Sequence, residues 1–296
     1  MAPATVLKVH RILSRALKVA VQRGKVKRNV CTLIDAPSVD PQESEALTAD
    51  QARAVLGVAI KDRLAALWAF RLEIGCRQGE ALGLSWPDLK LDFNTGAGVA
   101  TIRRQLQRLP ALHGCGEPVG TVPVGYRGRT IDRLVYPCGA KQPIRCPQRI
   151  GGGLRIVNYP KSKKPRHVSL SPALVLAFMY HREAQAAERA AAGSFWSDDP
   201  AFGDLVFRQV AGQPIDPRAD YKAWVRLLTT AGVPAGGTHK ARHTAATLLL
   251  EAGVPAKVVQ EVLGHSTYRV TMDTYSHVTA PMSTAASERI EGVLWR

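Results

Sequence analysis

The stretch 238–253, THKARHTAATLLLEAG, reads as a helix whose polar start carries His239 and Arg242 and whose remainder is largely apolar. Residues three apart lie on one helical face, so the imidazole and the guanidinium can address the same group. The segments on either side have the same character. PRADYKAWVRLLTTAG (217–232) and PAKVVQEVLG (255–264) also read as helices, the second stopping at Gly264. Ser171 followed by Pro172 is an N-cap and first-turn pair opening PALVLAFMYHREAQAAERAAAG (172–193).

Upstream, LTADQARAVL begins with Thr48 and Gln51 at capping-box spacing, and DRLAALWAFRLEIG continues as a second, more apolar helix. Between about 99 and 170 the pattern changes to short strand-like pieces, VATIRRQL, LRIVNY and RHVSL. They are separated by a Gly-, Pro- and Arg-rich insertion at about 109–153, too long for a hairpin loop and expected to be partly irregular. The fold class expected is therefore α+β, mainly α, with a small antiparallel sheet or hairpin.

Residues 5–24 form an amphipathic helix ended by Gly24. Lys8, Arg11, Arg15 and Lys18 make one stripe, free to meet phosphates, and Val9, Ile12, Leu13, Ala16 and Ala20 make the opposite stripe, expected to pack. The polar, proline-containing APSVDPQESEA at 36–46 reads as a linker. The division expected is a helical segment over 1–37, a linker over 38–46 and a main domain over 47–296.

The 296 residues are 46% hydrophobic, enough for a substantial core, and carry a net charge of +16. That charge is segmental. Residues 1–37 hold eight Lys/Arg against one Asp, and residues 101–170 hold fourteen against two acids. Concentrated positive charge favours a polyanionic partner, nucleic acid above all. The longest apolar run, ALVLAFMY, is far too short for a membrane span, and the N-terminus has no secretory core, so a cytoplasmic protein with no membrane partner is expected. Five widely spaced cysteines do not suggest a disulfide framework. His113, Cys115, Cys138 and Cys146 in the insertion offer four soft ligands, although intervals of one, twenty-two and seven residues match no standard zinc finger. Reduced unpaired cysteines are the expectation there, with structural zinc as the alternative.

Five boxes occur in order: GCRQGE around Arg77, PKSKKPRHV around Lys161, HKARH with His239 and Arg242, LGH with His265, and DTYSH with Tyr275. Their order resembles the tyrosine recombinases, the phage integrase family of site-specific DNA recombinases, over residues from about 45 to 296. The resemblance implies that Tyr275 is a nucleophile giving a 3′-phosphotyrosine. It also implies that Lys161 is the general acid for the departing 5′ oxygen, with Lys163 or Lys164 as the alternative. Independently of it, Arg77 and Arg242 suit the non-bridging oxygens of a phosphodiester, and His239 suits proton removal or a phosphate hydrogen bond. His265, just past Gly264, can be aimed into the same pocket by the helix-ending turn. Glu80, three residues after Arg77, is expected to orient it. Lys163, Lys164 and Arg166 join the stripe of Lys8, Arg11, Arg15 and Lys18 as expected DNA contacts. Tyr268, only three residues past His265, is expected to pack.

The resemblance further implies double-stranded attachment sites as partner and a homotetramer on two duplexes, compatible with an accessory DNA-bending factor. No cofactor is required, because each transesterification conserves the phosphoester. Family members carry a complete helical core-binding domain ahead of the catalytic one, so residues 1–37 read as its remnant. The competing readings are a truncated DNA-binding remnant without catalysis and a type IB topoisomerase-like enzyme.

Overall fold

The computed structural model describes residues 2–38, 46–126, 129–158 and 165–264. The chain divides into two compact units, 1–44 and 45–296.

The first unit is dominated by α1 (Pro3–Gln22), which starts with Pro at its first turn and is followed by Gly24 at φ 66°. Asn29 folds the following chain back, its amide donating to the Ser14 carbonyl at 3.0 Å. Lys8, Arg11, Arg15 and Lys18 are exposed as expected. The opposite stripe differs from expectation, because Val9, Ile12 and Leu13 remain 52%, 62% and 51% exposed and α1 has no fully buried residue. A periodic apolar face specifies what a helix can bury, whereas actual burial needs an opposing surface.

The second unit is a helical body with small sheets. Helix α2 (Ala49–Ala59) opens with the capping box: Gln51 N–H donates to Thr48 Oγ1 at 3.2 Å and Thr48 N–H to Gln51 Oε1 at 3.1 Å. Helix α3 (Ala65–Ile74) is apolar nearly all round, burying Leu67, Trp68, Phe70, Leu72 and Ile74, and is therefore the centre of the core. Around it lie α4 (Gln78–Leu82), α5 (Pro172–Ala192), α6 (Pro217–Thr230), α7 (His239–Glu251) and α8 (Ala256–Leu263). Ser171 caps α5 by accepting from Leu174 N–H at 3.2 Å. Phe70 of α3 meets Phe178 of α5 edge-on at 5.7 Å, and Trp68 meets Trp224 of α6 at 6.0 Å.

One ion pair lies inside this apolar layer. Arg71 of α3 is 2.8 Å from Asp220 of α6, both side chains essentially without solvent exposure. The Arg71 guanidinium lies over the Trp68 ring at 5.3 Å, and Gln78 donates to the other Asp220 oxygen at 2.6 Å. Removing one partner would strand a buried charge. Asp220→Ala is expected to lower unfolding free energy by about 3–5 kcal/mol, read as a reduced urea midpoint. The double replacement Arg71→Met/Asp220→Leu should recover most of that loss.

The strands β1 (Leu89–Leu91), β2 (Gly98–Ile102) and β7 (Arg166–Leu170) form an antiparallel sheet in the order β1-β2-β7, with Ala100 opposite Val168 inside the core. The intervening chain is more regular than the partly irregular insertion expected. Strands β3 (Arg104–Leu112) and β6 (Ile150–Asn158) form a long antiparallel ladder, and β4 (Gly120–Tyr126) pairs with β5 (Arg129–Val135) as a second hairpin beyond it. Gly, Pro and Arg obscure strand periodicity in the sequence, but an antiparallel ladder is held by backbone groups and tolerates low propensity. No described helix is long and apolar enough to cross a membrane.

Candidate active site

Helix α3 ends at Gly75, whose φ of 62° turns the chain sharply. A Cβ at this position would lie 2.4 Å from Leu263 of α8 and 2.9 Å from Ala245 of α7. Only glycine lets these three helices close at this point. The turn delivers Arg77 to the start of α4 and directs the Gly75 carbonyl toward α7, where Arg242 donates to it at 2.9 Å.

Glu80, on the first turn of α4 and 1% exposed, is the hub. Its carboxylate accepts from the Arg77 backbone N–H and from the Arg77 guanidinium, each at 2.9 Å. It also accepts from both terminal nitrogens of Arg166, at 2.6 and 3.2 Å. The two arginines in turn donate to carbonyls at the end of α8: Arg166 Nε to Val262 at 3.0 Å and Arg77 to Gly264 at 3.2 Å. A helix C-terminus favours cations at that place. Burial pushes the Glu80 carboxyl up, but the Arg166 hydrogen bond and charge, with those of Arg77, hold it below its ordinary range, so it is a carboxylate at neutral pH.

Arg242 is the third guanidinium of the cluster. It is 6% exposed, and its pKa is lowered to about 10, by burial first and by the neighbouring Arg77 charge second. It therefore remains protonated at neutral pH. Its Nη2 is buried without a hydrogen-bond partner among the described residues. Three guanidiniums around one carboxylate leave an excess of positive charge, and an incoming oxyanion would supply the acceptor that Nη2 lacks. Arg77 at the start of α4 and Arg242 on α7 can thus hold a tetrahedral phosphate group.

His239 is the first residue of α7 and is exposed. His243, one turn on, is half-buried, and its pKa is lowered by burial and then by the His239 and Arg242 charges. Cys76 is buried beside the site with its thiol pushed up to about 12, chiefly by burial and next by Glu80, so it is an inert neutral side chain.

Arg166 is the main difference from the sequence reading, which placed it among the DNA contacts. Its guanidinium is engaged with Glu80 and the end of α8, so it braces the Arg77 support. Nothing in PKSKKPRHV distinguishes this arginine from the lysines before it; the pairing of β7 with β2 supplies the distinction. The sequence reading also missed the Gly75 carbonyl as the Arg242 support, for which a glycine at a helix end was the only signal. Lys161, Lys163, Lys164, His265, Tyr268 and Tyr275 lie outside the described residues. Lys8, Arg11, Arg15 and Lys18 belong to the first unit.

Residues 150–281 match the model of the phage integrase family. An integrase of Saccharopolyspora erythraea is 35% identical, over 99% of this chain and 68% of its own length. A XerC-like tyrosine recombinase of Caldanaerobacter subterraneus subsp. tengcongensis is 29% identical, over 97% of this chain and 65% of its own. The chain thus spans about two thirds of the length of these curated relatives. Among solved structures, the Tn1549 transposon integrase in complex with a circular intermediate DNA shares the fold, with a TM-score of 0.68 over 98% of this chain and 80% of that one at 19% identity. With the five ordered boxes and an arginine cluster built around Glu80, the chain belongs to the phage integrase family of tyrosine recombinases.

Proposed function

We propose that the protein is a site-specific DNA recombinase that cleaves and rejoins strands for integration or excision of a mobile element. The observation that carries this reading is the Arg77–Glu80–Arg166–Arg242 cluster, whose buried Arg242 keeps one guanidinium nitrogen available for an oxyanion.

In the proposed reaction the Tyr275 phenolic oxygen attacks a DNA phosphorus. A 3′-phosphotyrosine forms, the bond to the 5′ oxygen breaks, and Lys161 protonates that leaving oxygen. His239 and His265 take the phenolic proton or hydrogen-bond a phosphate oxygen. Arg77 and Arg242 hold the non-bridging oxygens as charge develops on them. Attack by the 5′ hydroxyl of a partner strand reverses the first step, so one phosphoester replaces another with no call for ATP or a divalent metal. The substrate is a double-stranded attachment site, approached by the exposed cations Lys8, Arg11, Arg15 and Lys18 together with Lys163 and Lys164. A homotetramer on two duplexes, aided by an accessory DNA-bending factor, would bring the partner strands together.

The test is a nicked suicide substrate carrying the element's end, on which the 5′ product diffuses away. Wild-type protein is expected to form a protein–DNA adduct that survives denaturation. Binding with no adduct would favour the non-catalytic remnant. Relaxation of any supercoiled plasmid, with no site preference, would favour the topoisomerase-like reading.

A further inference from the structure

The β3–β6 ladder and the β4–β5 hairpin share a junction where four residues converge. His113 follows β3, Cys115 precedes β4, Cys138 follows β5 and Cys146 precedes β6. Their ligand atoms all lie within 4.8 Å of one another, with Cys138 Sγ 3.4 Å and Cys115 Sγ 3.9 Å from His113 Nδ1. A tetrahedron with metal–sulfur bonds of about 2.3 Å has edges of about 3.8 Å. The geometry points to a structural zinc site formed by His113, Cys115, Cys138 and Cys146, clamping the base of the hairpin extension.

Three further features fit a metal–thiolate site. First, the sulfurs are met by backbone donors: the Ala140 N–H faces Cys138, and those of Gly114 and Gln148 face Cys146. In both Cys138–Gly139–Ala140 and Cys146–Pro147–Gln148 the donor is two residues past the sulfur, a tight turn that favours an anionic ligand. Gly114 has no room for a side chain, since a Cβ there would lie 2.1 Å from the Gln148 carbonyl. Second, the His113 ring is stacked on Tyr136 at 3.7 Å and 8°, which fixes its orientation. Third, the described residues of the extension bury little apolar surface. Between Leu106 and Val168, Cys146 is the sole buried hydrophobic residue described, while Leu112, Val119, Leu134 and Ile150 are at least half exposed. A β element that buries so little needs another source of stability, and a Cys₃His set supplies it. Three thiolates and one imidazole select zinc among the common divalent ions, and four protein ligands leave no open position for catalysis.

The inference is independent of the recombinase reading, and its measurements involve no DNA. Full-length protein, expressed with added zinc and purified without chelator, is expected to contain about one zinc per chain. Cobalt(II) in its place should give the visible bands of a tetrahedral ion and thiolate-to-cobalt charge transfer. Cys138→Ser and Cys146→Ser should each lower bound zinc at least about tenfold, whereas Cys31→Ser should leave it unchanged. Chelation should speed tryptic cleavage at Arg133, Lys141, Arg145 or Arg149 while tryptophan fluorescence of the helical body stays constant. Wild-type protein with less than about a tenth of an equivalent of zinc, its three cysteines free or joined in a disulfide, would overturn the proposal. So would zinc that survives both serine variants, or tryptic cleavage unaffected by chelation.

Discussion

Replacing Tyr275 with phenylalanine is expected to reduce the covalent adduct to background, a loss of at least about 10⁴-fold, while DNA binding is retained. Phenylalanine keeps the ring and removes only the oxygen that would bond to phosphorus, so the change isolates the nucleophile. Tyr268→Phe should leave adduct formation within about twofold of wild type. The assignment rests on spacing. Tyr275 is ten residues past His265, as in the family's order of boxes, while Tyr268 is three residues past it. The check is a denaturing gel of end-labelled suicide substrate with all three proteins at equal occupancy. Adduct with Tyr275→Phe and none with Tyr268→Phe would exchange the two roles.

Arg242→Met is expected to slow cleavage by about 10²–10³-fold without lowering the melting temperature. The two parts have one cause. Arg242 is held against the Gly75 carbonyl, buried, close to a second guanidinium and short of one acceptor, an arrangement unfavourable to the empty protein. A methionine relieves the desolvation and the repulsion from Arg77, while Glu80 retains both Arg77 and Arg166. The same cation becomes favourable when a phosphate oxygen reaches Nη2, most of all as charge accumulates in the transition state. Single-turnover cleavage and thermal unfolding of the same preparation provide the check. Parallel losses of rate and stability would mean that Arg242 serves the fold.

The capped helices were legible because their signals are local. Thr48 with Gln51 and Ser171 with Pro172 specify helix starts through bonds three residues apart, and those bonds are present. The apolar stripe of α1 was equally legible, yet Val9, Ile12 and Leu13 are exposed, since a stripe does not carry its own partner. The strand content of the insertion was underestimated for a related reason. Its ladder depends on backbone pairing between residues such as Arg104 and Asn158, far apart in sequence and unmarked by composition. The cysteine intervals of one, twenty-two and seven looked haphazard because both strands of the β4–β5 hairpin lie between Cys115 and Cys138, which the folded chain brings together.

By itself the sequence determined the residue types and their order: Arg77, Lys161, His239, Arg242, His265 and Tyr275, a mainly helical body, and a basic chain suited to a polyanion. Only the tertiary structure decided which charges are paired. Arg166 and the lysines of KSKK are equivalent as a run of cations, but β7 carries Arg166 to Glu80. The sequence singled out Arg242 by its box, but it is the closure of α3, α7 and α8 at Gly75 that makes it a buried, incompletely satisfied donor. The physical reason is that charge is a property of a residue, whereas burial and pairing belong to the surroundings, which long-range contacts assemble.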